Sequence, residues 1–188
     1  MARTNGKTRT VSITKPASWT LKKGQSVNVD GICSTVVRFT ATSFTVDYMP
    51  ETQRITTAGS FVKGRLVNLE RSLKYGDRMD GHVVQGHVEV RGRVVALTNE
   101  GKSRLLSVRF SAGIARFAYA RGSIALNGVS LTVARKHGPT VTVALVPHTL
   151  AHTTFKHLSV GDEVNVETDV MVRATVRPHA TKTLRKAR

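Results

Sequence analysis

The sequence predicts an all-β chain of two tandem small barrels, on three observations. First, the chain is doubled. Asp30-Gly31-Ile32-Cys33-Ser34-Thr35-Val36 returns 97 residues further on, from Asp30 to Asn127, as Asn127-Gly128-Val129-Ser130-Leu131-Thr132-Val133. The same offset carries Val46-Asp47-Tyr48-Met49-Pro50-Glu51-Thr52 onto Val143-Ala144-Leu145-Val146-Pro147-His148-Thr149, and Val67-Asn68-Leu69-Glu70 onto Val164-Asn165-Val166-Glu167. So long a period belongs to a whole domain rather than to a solenoid unit of about 20–50 residues. Second, apolar residues alternate with period two between glycine-rich and polar breaks, the pattern of half-buried antiparallel strands. Third, each copy has room for about six such strands and a short helix, and closing so small a sheet into a barrel removes its edges.

Taken in order, residues 1–9 are polar and basic and read as a frayed end or the end of a targeting segment. Residues 10–14 alternate as a strand that Pro16 stops, and 17–23 are a connector. Residues 26–29 read as a strand running into a turn at Asp30-Gly31, and 33–39 and 43–49 as the next two strands. Residues 50–60 read as a short polar helix or loop, 66–69 as a strand, and 76–81 as the loop between the halves. The second copy opens on a long β region over 82–97, followed by a strand at 104–110 and a short helix at 112–119. Strands follow at 123–126, 129–134, 140–146 and 163–167. The domains are therefore 1–81 and 82–170, with a basic tail over 171–188. Gly101-Lys102-Ser103-Arg104 repeats Gly6-Lys7-Thr8-Arg9, yet only five residues precede Gly6. The first barrel is expected to lack its opening strand, leaving edges unpaired or filled by another segment or chain.

Composition narrows the function classes. A chain of 188 residues holds two domains of roughly 90–100 residues each. No apolar run approaches the roughly 18–20 residues of a membrane helix, and no secretory leader pattern is present. One cysteine excludes an intramolecular disulfide and a Cys-rich zinc site, and suits a reducing compartment. Cytoplasm is the expectation, with mitochondrion or plastid as the alternative. Lys and Arg number 29 against 12 Asp and Glu, a net charge of +17. No acid precedes Asp30, none lies between Glu100 and Asp162, and none follows Asp169. Such a field attracts polyanions, so nucleic acid is an alternative partner through the basic surface and tail. His82 and His87 stand five apart with no third ligand in view, so no metal site is expected. Gly128-Val129-Ser130-Leu131-Thr132 lacks the second glycine and the strand-to-helix context of a nucleophile elbow.

The paired Asp30-to-Val36 and Asn127-to-Val133 motifs resemble the riboflavin synthase family of duplicated barrels, with its non-catalytic lumazine proteins. The resemblance extends over Met49-Pro50-Glu51-Thr52, Val146-Pro147-His148-Thr149-Leu150, Val67-to-Arg71 and Asp77-to-His87, and covers roughly residues 10–170. It implies two six-stranded antiparallel Greek-key barrels, each binding one pterin-like ligand, and a homotrimer. Two molecules of 6,7-dimethyl-8-ribityllumazine meet between barrels of neighbouring subunits. A four-carbon unit passes from one to the other, giving riboflavin and 5-amino-6-ribitylamino-pyrimidinedione, with no metal or redox cofactor. A reaction between identical molecules gains most from two similar pockets that hold them face to face.

The resemblance assigns Ser26, Ser34, Thr35, Asp47, Tyr48, Met49, Pro50, Glu51 and Thr52 to the first site, with Cys33 as nucleophile or polar positioner. It assigns Arg121, Leu131, Thr132, Val146, Pro147, His148, Thr149, Leu150 and Ala151 to the second, with Ser130. Gly86, His87 and Val88 lie between, His87 serving proton transfer, and Asp169 falls where the family has an Asp near the reacting pair. Only the thiolate of Cys33 is strongly nucleophilic, and His87 would help proton transfer at the acidic methyl of one lumazine. The chain departs from the family in three places. An opening Met-Phe-Thr-Gly-Ile-Val type segment is missing, Ser34 replaces a Leu, and the tail, with Pro178, lacks the apolar stripe of a trimerising helix.

Overall fold

The computed structural model of the chain describes residues 2–5 and 7–176. The first copy supplies β1 (Ala2–Asn5), β2 (Thr8–Thr14), β3 (Ser26–Val29), β4 (Ile32–Phe39), β5 (Ser43–Tyr48), α1 (Pro50–Ile55) and β6 (Leu69–Arg71). The second supplies β7 (Val90–Glu100), β8 (Ser103–Arg109), α2 (Ala112–Ala115), β9 (Ser123–Leu126), β10 (Val129–His137), β11 (Thr140–Leu145), α3 (Pro147–His152) and β12 (Glu163–Thr168), and α4 (Val170–Thr175) follows. Alternation does what it predicts. Phe44, Val46 and Tyr48 of β5, and Val141, Val143 and Leu145 of β11, point inward to two separate cores.

The two sheets share one strand order. The first runs β1-β2-β5-β4-β3-β6, and the second runs β7-β8-β11-β10-β9-β12 and closes, because β12 pairs back onto β7 from Glu163↔Arg93 to Val166↔Val90. The first sheet has no such closure among the described residues. Its opening strand is not wholly missing, since β1 pairs with β2 in that place. Asn5↔Thr8 repeats Glu100↔Ser103, so the four residues of β1 match only the last four of the 11-residue β7. Nothing among the described residues matches Val90–Arg93, the part of β7 that closes the second barrel. This also moves β6 from the expected 66–69 to Leu69–Arg71, since residues 66–68 lack the partner that holds Glu163–Asn165 extended.

Three other expectations shift. The long β region begins at Val90 rather than at 82, because 82–88 cross between the barrels as a linker. The helix expected over 112–119 is α2 alone, after which Phe117 and Ala118 bond to carbonyls three residues back and the turn tightens. The tail begins with α4, whose first turn is capped by the Asp169 carboxylate accepting from Met171 N at 2.9 Å. Pro178 and the rest of the tail lie outside the described residues.

The most exactly repeated motif is a pair of hairpin tips. Asp30 (φ 47°) with Gly31 (φ 82°), and Asn127 (φ 44°) with Gly128 (φ 78°), make two-residue loops between Val29↔Ile32 and Leu126↔Val129. Positive φ at both central residues is the turn that matches strand twist, hence Asp-Gly and Asn-Gly. The tips abut. A Cβ on Gly31 would stand 2.6 Å from Gly128 N. Around them the barrels exchange reciprocal bonds. Asn68 Nδ2 donates to Asn127 O (3.2 Å) and its Oδ1 accepts from Thr154 N (2.9 Å). Asn165 Nδ2 donates to Asp30 O (2.7 Å) and its Oδ1 accepts from Thr57 N (2.7 Å).

Candidate functional site

On β4, Ile32, Ser34 and Val36 point inward while Cys33 and Thr35 are exposed; on β10, Leu131 and Val133 point inward while Ser130 and Thr132 are exposed. Across the ladder Ser26 faces Thr35 and Asn28 faces Cys33; in the second barrel Ser123 faces Thr132 and Ala125 faces Ser130. Each barrel thus presents on its outer face a hydroxyl pair, Ser26–Thr35 or Ser123–Thr132, with Cys33 or Ser130 two residues along. Short hydroxyls donate and accept at once, which suits the hydroxyls and amide edge of a polar heterocyclic ligand. Sequence reasoning misses Ser123, although it is Ser26 displaced by the repeat offset, and that offset alone finds it.

Beyond each row the chain turns into α1 or α3, with Met49 and Val146 exposed at the N-caps and Pro50 and Pro147 opening the helices. The two sides differ chemically here. Glu51 is tied by Arg54 Nε at 2.8 Å, which holds its carboxyl below the ordinary range, whereas His148 stacks on His152 with ring centroids 4.1 Å apart. Asp47 accepts from Thr10 Oγ1 at 2.6 Å, and Thr52 O and Thr149 O accept from the Thr56 and Thr153 hydroxyls. Leu150 packs in part against the second core, and Arg121 (φ 71°) sits exposed at the turn before β9.

Four assigned side chains are not on these surfaces. Ser34 and Tyr48 lie inside the first barrel, hydroxyl to hydroxyl at 2.9 Å, with Ser34 Oγ also donating to Ile32 O. Burial pushes the Tyr48 phenol up. Their repeat mates are Leu131 and Leu145, both buried in the second core, so the Leu131 side chain is core as well. The Ser34 departure is thus a matched exchange of an apolar pair for a hydrogen-bonded one. Val88 is the fourth. It leaves the linker to pack in the core of the first barrel.

The linker joins the two rows. Its Gly86 accepts at the carbonyl from Cys33 N (2.8 Å), and a Cβ there would stand 2.7 Å from that nitrogen. Five residues earlier, a Cβ on Gly81 would meet Ser130 Oγ at 2.8 Å. The buried Glu167 carboxylate anchors the linker by accepting from the backbone N–H groups of Gln85 (2.7 Å), Gly86 (2.9 Å) and His87 (3.1 Å). Burial raises its pKa against those three donors. A cleft of about 1210 Å³ runs along the linker and gathers Ser26, Cys33, Ser130, Ala151 and His82.

The histidine that meets a row is His82, not His87. His82 Nδ1 lies 2.7 Å from Ser130 Oγ, while the exposed His87 ring makes no hydrogen bond among the described residues. Burial lowers the His82 pKa, opposed by the charge of Asp169. The spacing of the two histidines does not distinguish them; only the path of the linker does.

The sequence matches the lumazine binding domain family twice, over residues 2–72 and 85–169. Riboflavin synthase of Bacillus subtilis (strain 168) is 37% identical over 148 residues, spanning 79% of this chain and 69% of that protein. Riboflavin synthase of Brucella abortus (strain 2308) is 39% identical over 163 residues, spanning 84% and 81%. Among solved structures, LumP complexed with riboflavin superposes with a TM-score of 0.82 at 24% identity, covering 89% of this chain and 92% of that one. LumP complexed with 6,7-dimethyl-8-(1'-D-ribityl) lumazine gives a TM-score of 0.80 at 23% identity.

Proposed function

From the premise that this chain belongs to the riboflavin synthase family of paired lumazine binding domains, we propose that it is a riboflavin synthase. It converts two molecules of 6,7-dimethyl-8-ribityllumazine to riboflavin and 5-amino-6-ribitylamino-pyrimidinedione, one molecule giving a four-carbon unit to the other. The observation that carries this is the matched pair of outer rows, Ser26–Thr35 with Cys33 and Ser123–Thr132 with Ser130. Each row holds one heterocycle by its polar edge and ribityl hydroxyls. Holding two such molecules in reacting geometry is worth several kcal/mol of the barrier, and no metal or redox cofactor is required. Because the rows face outward, a second copy of the chain supplies the opposing wall, and a homotrimer is the assembly proposed.

The test is incubation of the purified chain with 6,7-dimethyl-8-ribityllumazine alone. One riboflavin per two lumazines consumed is the expected result. Tight binding of lumazine or riboflavin without turnover would instead make the chain a ligand-binding module of the lumazine-protein kind. A second reading rests on charge: residues 101–161, which include β8 to β11, contain no acid within a chain of net charge +17. A polyanion such as RNA binds such a surface with affinity that falls steeply between about 50 and 200 mM salt.

A further inference from the structure

The rows are equivalent by descent but not in chemistry: Cys33 stands in the place of Ser130, and among the described residues a histidine side chain bonds to Ser130 but none to Cys33. Ser130 receives two contacts from His82: the backbone N–H of His82 points at Oγ from 3.4 Å, and the ring Nδ1 lies 2.7 Å from it. In the tautomer that carries its proton on Nε2, the serine hydroxyl donates to Nδ1. That Nε2 is buried and has no partner among the described residues. Native proteins seldom keep an orphaned buried polar atom without a use for the group that bears it. Glycine at position 81 is what allows this approach, since a Cβ there would collide with Ser130 Oγ and Cβ. The repeat mate Cys33 has a different neighbour. The linker meets it through the Gly86 carbonyl, which accepts from Cys33 N.

We infer that His82 is a positioning residue for the proposed reaction. It draws the Ser130 hydrogen inward, so that Ser130 offers its ligand an oxygen acceptor only, and it thereby makes the second row unlike the first. Two identical substrate molecules must play different parts, one giving carbon and one receiving it, and sites of identical chemistry give no basis for the difference. The contact between His82 and Ser130 provides one.

This inference rests on the proposed riboflavin synthase activity, and its test separates the two. Full-length wild type, His82→Ala, His82→Asn, Ser130→Ala and the double variant are compared for kcat and KM with 6,7-dimethyl-8-ribityllumazine, and for equilibrium binding of riboflavin. His82→Ala and Ser130→Ala are each expected to lower kcat about 10- to 100-fold, His82→Ala with little change in KM or riboflavin affinity. The double variant is expected to be no slower than the slower single, the mark of residues acting as one unit. His82→Asn, whose side-chain oxygen can stand near the Nδ1 position, is expected to restore most of the rate. Wild-type turnover by His82→Ala, or losses that multiply in the double variant, would overturn the role of His82 and leave the synthase reading intact. An inactive wild type would overturn the synthase reading and this inference together.

Discussion

Asp30 stands where the second repeat has Asn127, and the exchange places a carboxylate at a buried hairpin tip. Both side chains accept at Oδ1 from the backbone N–H of the following asparagine, Asn68 or Asn165, at 2.7 Å. Burial raises the Asp30 pKa from 3.8 to about 6, against the Asn68 bond and the Arg65 guanidinium 3.9 Å away. A carboxyl with a raised folded-state pKa binds its proton more tightly in the native state. Its contribution to stability is therefore complete below pH 3.8 and is lost as pH rises through about 6. Asp30→Asn keeps the acceptor and removes the charge. It should gain about 2 kcal/mol above pH 7 and flatten the fall in stability between pH 4 and 6, measured as urea midpoints across that range. The Ser34–Tyr48 pair makes a second prediction. Ser34→Ala leaves the buried Tyr48 hydroxyl unpartnered and should cost about 1–3 kcal/mol, whereas adding Tyr48→Phe should return most of the loss. Additive losses in the thermal melts of the three variants would show that the two hydroxyls do not depend on each other.

The element that decides the site is the linker from Gly81 to Val88, which touches Ser130 at one end and Cys33 at the other. Its turn at Gly86 (φ 78°) has two independent reasons to be glycine, the left-handed backbone and the Cys33 backbone against which any Cβ would press. Backbone cannot give way as a side-chain end can. Gly86→Ala should therefore cost about 2–4 kcal/mol and disturb both rows, seen as a lowered melting temperature together with weakened riboflavin binding. Gly76→Ala is the control, since it shares the positive φ but has nothing near its Cβ. The linker is also where the sequence stops being legible. Strands, hairpin tips and the repeat of α1 in α3 follow from period, turn chemistry and offset, all of which are local. That Val88 belongs to the first core, that residues 82–88 are not strand, and that His82 rather than His87 reaches Ser130 depend on which surfaces meet when two barrels dock. Ser34, Tyr48 and Leu131 were hidden for a simpler reason. Family position says that a residue lies near a site, but strand alternation decides whether its side chain faces the ligand or the core.

At the scale of the molecule, two barrels with separate cores behave as one body only as far as their interface binds them. That interface is polar and reciprocal, and its halves are unequal. The Asn165 side chain is buried and makes three bonds, to Asp30 O, Thr57 N and Thr57 Oγ1, whereas Asn68 is half-buried and its side chain makes two. Removing a buried amide strands its partners, while removing the half-buried one lets water take its place. Asn165→Ala should therefore cost about 2–4 kcal/mol and Asn68→Ala about half as much. The loss falls on the coupling, not on either core. Scanning calorimetry should show one transition for the wild type and, for Asn165→Ala, two resolved transitions, the open first sheet melting below the closed second barrel. A single lowered transition for Asn165→Ala would mean that the abutting Asp-Gly and Asn-Gly tips and the Glu167-anchored linker couple the barrels without the amide.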